Sequence, residues 1–391
     1  MKEFLLRANA MMETLVADRR HLHANPEVGD ELPKTVAYVK KRLEAMGYEP
    51  QDLAKSGVVA LAGGKKSGKT FLLRADMDAL PMEEKTGLPF AATNGWCHSC
   101  GHDLHTAMLL GAAALLKEME DELQGTVKLM FQPAEEKLTG ARDMVAAGLL
   151  ENPKVDAAFG MHVGADQPIG VFGYNTTYQY ASSDSFQIDI QGKGAHGAMP
   201  HLGVDPINVA CHIHIALQEI VAREVSAYET LVVTVGQVAA GNAVNIIPDT
   251  ARMLGTIRAY NASVRELAVR RVVEISENVA KAFGATAVTT YTGSAPSMLC
   301  DKNVVELMLR LLKGADMEGA QFNERKTMGS EDFAFVSDKV PSAFLSLGAA
   351  NKDPGKRVGF HNPTIEFDED AMPFGAAIYA AMAKHWLAEN S

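Results

Sequence analysis

"CHSCGHDLHTAMLLGAAALLKEM", residues 97–119, opens with two cysteines, three histidines and an aspartate within nine residues, then turns almost wholly apolar. The apolar half, Thr106–Met119, has the length and composition of a buried helix. Short apolar runs flank it, Phe71–Ala75 before and Thr126–Phe131 after, each of strand length. Val58–Ala62 and Ala157–Met161 read as further strands, and Ala141–Leu150 as a second helix. Strand–helix alternation of this kind up to about residue 180 predicts an α/β layer with a mostly parallel sheet.

The pattern then changes. Phe186–Gln191 alternates as a half-exposed strand, followed by a helix over Pro206–Arg223 and strands over Leu231–Val238 and Thr250–Ala259. A charged helix (Val264–Phe283) and a last strand (Ala287–Thr292) complete a βαββαβ order. About 110 residues is an ordinary domain size. The expectation is a small α+β domain, 181–293, inserted into a larger α/β domain formed by 1–180 and 294–391.

The 391 residues are 47% hydrophobic and 22% charged, a globular balance. A net charge of −11 argues against a nucleic-acid surface. No apolar run reaches the roughly 20 residues of a membrane helix. The N-terminus lacks the continuous apolar stretch of a signal peptide, so a cytoplasmic protein is expected. Four cysteines are too few for a disulfide framework in a chain this long.

Ligand-type residues recur where predicted strands end, the place where open α/β sheets build sites. Asp76 and Asp78 lie in "LLRADMDALP", Glu135 and Glu136 in "LMFQPAEEK", His162 in "AFGMHVG", and His361 in "GFHNP". Each alone has a plainer explanation. An aspartate after a strand caps a turn, paired glutamates face solvent, and a single histidine is a hydrogen-bonded structural residue. Cys97 and Cys100 have the spacing of a zinc knuckle or redox pair, but no second ligand pair lies nearby. The plain readings strain when rare features recur at one topological position.

Seven ordered motifs then carry a resemblance: "RADMDALPM", "CGHDLHTAMLLGAA", "FQPAEE", "GKGAHGAMPH", "NAVNIIPD", "MGSEDF" and "FHNP". Together they resemble the amidohydrolase branch of the aminoacylase/carboxypeptidase metallopeptidases, which includes hippurate hydrolases and indole-acetyl-amino-acid hydrolases. The likeness runs from "RRHLHANPE" (Arg19–Glu27) to the C-terminal helix. It implies a metal-bearing catalytic domain with an inserted lid or dimerisation domain, and a homodimer or homotetramer.

The resemblance places two divalent ions on Cys100, His102, Glu136, His162 and His361. Thiolate, imidazole and carboxylate suit Zn²⁺ or Mn²⁺, with Ni²⁺ and Co²⁺ also compatible. Glu135 matches the general base, and Asp78 joins the catalytic group. Asp76, Asp78 and Asp103 are candidates for carboxylates that orient ligand imidazoles. His98 and His105 are expected to support the ligands, and Cys97 to be a structural thiol. His196 matches an oxyanion donor reaching a partner subunit's site, with a turn cap as its plain alternative and His201 as second choice. Asn245, Arg258, Gly329 and Ser330 match substrate-binding positions, although an arginine such as Arg258 also pairs with nearby carboxylates in many strands. His212 and His214 are expected to be ordinary helix residues. Cys97-His98-Ser99-Cys100 and His361-Asn362-Pro363 depart from the common Met-His-Ala-Cys and His-His-Pro, without removing a ligand.

The implied activity is metal-dependent hydrolysis of N-acyl-L-amino acids such as hippurate. Alternatives within the same chemistry are a carboxypeptidase or dipeptidase and an N-acetyl-diaminopimelate deacetylase. A rival of another class is a non-catalytic zinc-stabilised binding protein, whose metal site would be closed and have no base beside it.

Overall fold

The computed structural model describes residues 1–391. It divides into two compact units. The first comprises Met1–Gln179, Leu299–Lys326 and Asp332–Ser391; the second comprises Tyr180–Met298 and Thr327–Glu331. The second unit therefore extends past the expected residue 293, because its last strand runs Thr286–Ala295 and is paired as far as Ser183↔Ala295. It also takes in the return segment 327–331, which sequence order alone assigned to the larger domain.

The first unit is built on an eight-stranded sheet. Its spatial order is Gln51–Leu53, Gly57–Gly63, Gly125–Gln132, Lys69–Asp76, Ala157–Gly164, Ser342–Gly348, Val171–Tyr174 and Gln321–Glu324. The four central strands are mutually parallel. Antiparallel pairing appears where Gly57–Gly63 meets Gly125–Gln132 and where Val171–Tyr174 meets Ser342–Gly348. The central strands are buried almost throughout, the mark of a sheet covered on both faces.

Helix His102–Glu118 has 14 of its 17 residues buried, so it lies inside the layer rather than on the surface. It packs against Met372–Glu389, an equally apolar helix. The two approach closely at Gly375, where any side-chain carbon would meet Met108 Sδ at 1.9 Å.

The second unit carries an antiparallel sheet in the order Leu231–Ala240, Thr250–Ala259, Ser183–Gln191, Thr286–Ala295. Phe186, Ile188 and Ile190 alternate into its core and meet Val209, Ile213 and Leu217 of helix Pro206–Glu219 and Ala268 and Val272 of helix Ala262–Ala282. Both helices start at side-chain caps: Asp205 accepts from the Ile207 N–H and Asn261 from the Ser263 N–H, each at 2.9 Å. No helix of the chain is long and apolar enough to cross a membrane.

Candidate metal centre

Three central strands of the first unit deliver the site at their C-terminal ends. Lys69–Asp76 leads to Asp76 and Asp78, Gly125–Gln132 to Glu135 and Glu136, and Ala157–Gly164 carries His162. Cys100 and His102 flank Gly101, which has φ +88° and precedes the helix. A side-chain carbon at Gly101 would meet Val163 Cγ2 at 2.5 Å, so the tight approach of the ligand turn to the strand requires glycine. His361 sits in a turn at φ +59°, and its N–H donates to Ser99 O at 3.3 Å. That bond ties His361 to the segment bearing Cys100.

Five donors converge. Cys100, His102 and His162 form one group with ligand atoms all within 4.8 Å of one another, and Cys100, Glu136 and His361 form a second. Cys100 belongs to both. Its Sγ lies 3.3 Å from His162 Nε2, and His361 Nε2 lies 3.3 Å from Glu136 Oε2. His102 Nδ1 donates to Asp78 O at 2.8 Å, which leaves Nε2 as a lone-pair donor. That Nε2 and Glu136 Oε1 are buried without hydrogen-bond partners. Buried polar atoms left unpaired cost about 1–3 kcal/mol each, so both atoms call for an electrophile.

The electrostatics show which protons a cation must displace. Burial lowers the His102 imidazole, but Asp76 and Asp78 outweigh burial and raise it well above its ordinary range, so a cation at Nε2 takes the place of a proton. Burial pushes the Cys100 thiol well above its ordinary range, with Glu136 and Glu135 adding to the effect. A thiolate there needs a cation beside it. Burial also pushes the His162 imidazole down to about 3, which keeps it in the neutral form that ligates metal. Thiolate, imidazole and carboxylate in two overlapping groups fit two divalent cations.

Glu135 is buried, and its carboxylate lies within the 4.8 Å set formed with His102 and Glu136. Asp78 is the shared anchor: Oδ1 accepts from the Glu135 N–H at 3.0 Å and Oδ2 from the Glu136 N–H at 3.2 Å. His105 is placed outside the ligand set, because Nδ1 faces Asp76 Oδ1 at 2.5 Å and Nε2 accepts from the Val163 N–H at 2.9 Å.

Three expectations are corrected: Asp76 hydrogen-bonds His105 and not a candidate ligand imidazole, His98 hydrogen-bonds no candidate ligand, and Asp103 serves other partners. Asp103 orients no ligand imidazole; its Oδ2 takes Arg19 Nε at 2.9 Å and His23 Nδ1 at 2.8 Å. Successive helix residues point about 100° apart, so Asp103 turns away from the face that His102 presents. His98 is buried and its nitrogens hydrogen-bond to no protein group. Cys97 is buried and paired through its backbone with Leu80, and burial pushes its thiol up to about 12.

In the second unit, His196 and Asn245 meet on an exposed two-stranded ribbon. Ile246 pairs with His196, and the Gly197 N–H donates to Asn245 O at 2.8 Å. His196 Nδ1 accepts from the Ala198 N–H at 3.1 Å. Arg258 is half-buried and bonds Thr256 Oγ1 and Ile257 O rather than a carboxylate. Gly329 N–H donates to Thr327 Oγ1 at 3.1 Å, and Ser330 Oγ is buried without a partner. His201, His212 and His214 are exposed, with His212 stacked on Phe283.

Sequence reasoning missed two buried networks. Arg74, wholly buried, bonds Asp76, Gln132 and Asp332. Arg19, His23, Glu84 and Asp103 form the other. A charged residue inside the apolar run "FLLRAD" was the available signal for the first. Phe360 was also missed. Its ring stands edge-on to His162 at 5.1 Å and is 41% exposed.

Residues 72–385 match the model of peptidase family M20/M25/M40. The chain is 37% identical over 384 residues to an N-acetyl-L-cysteine deacetylase of Bacillus subtilis, covering 98% of this chain and 90% of that protein. It is 37% identical to IAA-amino acid hydrolase ILR1-like 4 of Arabidopsis thaliana, covering 98% and 88% of the two chains. Its fold superposes with a TM-score of 0.83 on the crystal structure of the YXEP protein of Bacillus subtilis, described as a dinuclear metal-binding peptidase of the M20 family. The two are 34% identical, with 98% and 100% of the chains covered.

Proposed function

This chain belongs to peptidase family M20/M25/M40 and is a metal-dependent amidohydrolase, and we propose that it hydrolyses N-acyl-L-amino acids to a carboxylic acid and a free amino acid. The observation that carries the proposal is the pair of ligand groups sharing Cys100, with the carboxylate of Glu135 beside them. We assign Cys100, His102 and His162 to one cation and Cys100, Glu136 and His361 to the other. The thiolate favours Zn²⁺, and Mn²⁺ is the alternative.

When bound, two such cations polarise the scissile carbonyl and draw the pKa of water from about 16 toward 7. Glu135 takes the proton of the attacking water and returns it to the leaving amine nitrogen. Asp78 fixes where the Glu135 and Glu136 side chains begin by holding both peptide N–H groups. His196 is assigned as oxyanion donor: with Nδ1 accepting from Ala198, its Nε2 carries the proton and can donate. Arg258, lacking a carboxylate partner, is assigned to the substrate's free carboxylate, and Asn245, Gly329 and Ser330 are assigned to substrate binding. The half-exposed Phe360 ring beside His162 favours an apolar or aromatic acyl group.

Self-association through the second unit is part of the proposal. Leu231–Ala240 is an edge strand, and Ile215, Val244 and Ile246 are exposed apolar residues of that unit. All four cysteines are unpaired, which suits a reducing cytoplasm.

The test is Glu135→Gln assayed on N-acetyl and N-benzoyl amino acids, dipeptides and N-acetyl-diaminopimelate. The variant should bind two cations as the wild type does and lose about 10²- to 10⁴-fold in kcat. Wild-type turnover by Glu135→Gln refutes the base assignment, and preference for dipeptides refutes the acyl substrate class.

A further inference from the structure

We propose that His105, backed by Asp76, is the positioning residue that holds His162 for its cation; this rests on the assignment of His162 as a ligand. Pairing between strands Lys69–Asp76 and Ala157–Gly164 ends at Arg74↔Gly160. Beyond that rung two imidazoles serve the Val163 backbone. Its N–H donates to His105 Nε2 at 2.9 Å, and its carbonyl accepts from His162 Nδ1 at 2.7 Å. Both bonds are made within the buried layer, and the two rings stand 4.6 Å apart at 71°.

The donor and acceptor roles follow in order. His105 Nε2 accepts a hydrogen bond from a backbone N–H, so the ring's own proton sits on Nδ1, which donates a hydrogen bond to Asp76 Oδ1 at 2.5 Å. Val163 O can only accept, so His162 carries its proton on Nδ1. The lone pair of His162 is then on Nε2, the atom 3.3 Å from Cys100 Sγ. Asp76 is held from its other side by Arg74 Nη1 at 2.9 Å. Arg74 is itself fixed by Gln132 Oε1 at 2.8 Å, and its carbonyl is fixed by Tyr379 Oη at 2.6 Å. The chain Arg74–Asp76–His105–Val163–His162 thus sets both the location and the tautomer of a ligand through one residue's backbone. Groups that hold metal ligands in this way change cation affinity by about 10- to 100-fold when removed.

Two variants separate this role from mere packing. His105→Asn retains a group at the level of Nδ1 and bonds Asp76, but falls short of Val163. His105→Gln reaches as far as Nε2 and can accept from the Val163 N–H. The full chain, freed of cations, is titrated with Co²⁺ against a competing chelator, with visible absorption reporting thiolate and imidazole coordination. His105→Asn should weaken one of two Co²⁺ ions by about 10- to 100-fold and leave the other, and His105→Gln should recover most of that loss. Two ions bound by His105→Asn with wild-type affinity, even with a lowered unfolding temperature, means that His105 only packs and overturns the proposal. Equal loss in both variants removes Val163 from the cause and also overturns it. ¹⁵N NMR of the histidines in the cation-loaded wild type needs no variant: a proton on His105 Nδ1 supports the chain of bonds, and one on Nε2 refutes it. His162→Ala distinguishes the two levels. If it binds both ions normally, the ligand assignment itself fails and the role of His105 falls with it.

Discussion

Replacing Gly101 with alanine tests the geometry on which the ligand turn depends. Gly101 has φ +88° and ψ 17°, between Cys100 and His102, the two residues assigned as ligands. An L-residue in that left-handed region costs about 1–2 kcal/mol. The added methyl would also lie 2.5 Å from Val163 Cγ2 and 3.2 Å from the Phe367 ring, both buried. Overpacking at such a point costs about 1–3 kcal/mol. Gly101→Ala should therefore lose about 2–5 kcal/mol in urea unfolding of the cation-free chain. Gly95 supplies the internal control, since it has φ +85° and no atom within 4 Å of the added carbon. Gly95→Ala should lose only the backbone part, about 1–2 kcal/mol. The difference between the two variants isolates the contact with Val163. Gly101→Ala should also bind both cations more weakly, because Cys100 belongs to both ligand groups. Equal losses in the two variants, with wild-type cation affinity in Gly101→Ala, would refute the close approach of turn and strand.

Asp78→Asn leaves one carboxamide oxygen to serve the two N–H groups of Glu135 and Glu136, and turns an NH₂ toward the other. The buried mismatch should cost about 1–3 kcal/mol and lower kcat more than it raises KM, as steady-state kinetics at saturating metal would reveal. Phe360→Ala should weaken kcat/KM for N-benzoyl over N-acetyl substrates by roughly 5- to 10-fold, the worth of one aromatic contact; an unchanged ratio places the acyl group elsewhere. Glu369 is paired with Arg19 and Arg20 at 2.8–3.0 Å. Burial raises its carboxyl, but the two guanidinium groups outweigh burial and hold it below the usual glutamate range. A depressed carboxyl stabilises the fold above its unfolded value near 4.3 and loses that contribution as pH falls through the folded value. Wild type should exceed Glu369→Gln by about 1–2 kcal/mol at pH 7, and urea midpoints should converge on acidification below about pH 4.

The strand ends and the long helix were legible because their signal is local. "FLLRAD", "KLMFQ" and "AAFGMHV" are mostly apolar runs of strand length, and Ala107–Leu116 is apolar around its whole circumference. Cys100, His102, Glu136, His162 and His361, the residues assigned as ligands, were singled out through motif order, and their donor atoms meet in two overlapping groups. Asp103 was misassigned because proximity along the chain to His102 does not give direction around the helix. The partners of Arg74 and Arg19 lie 258 and 350 residues away in Asp332 and Glu369, a separation that no periodicity encodes.

By itself the sequence determined which residue types the chain offers to a cation and at which strand ends they emerge, since hydrophobic period and turn residues act over a few positions. Only the tertiary structure decided that Cys100 serves two groups, that His105 faces a backbone N–H rather than a cation, and that Asp78 holds both glutamates. Those outcomes depend on which nitrogen or oxygen of each side chain is already taken, and that is settled when distant segments close on one buried volume and every polar atom in it must find a partner.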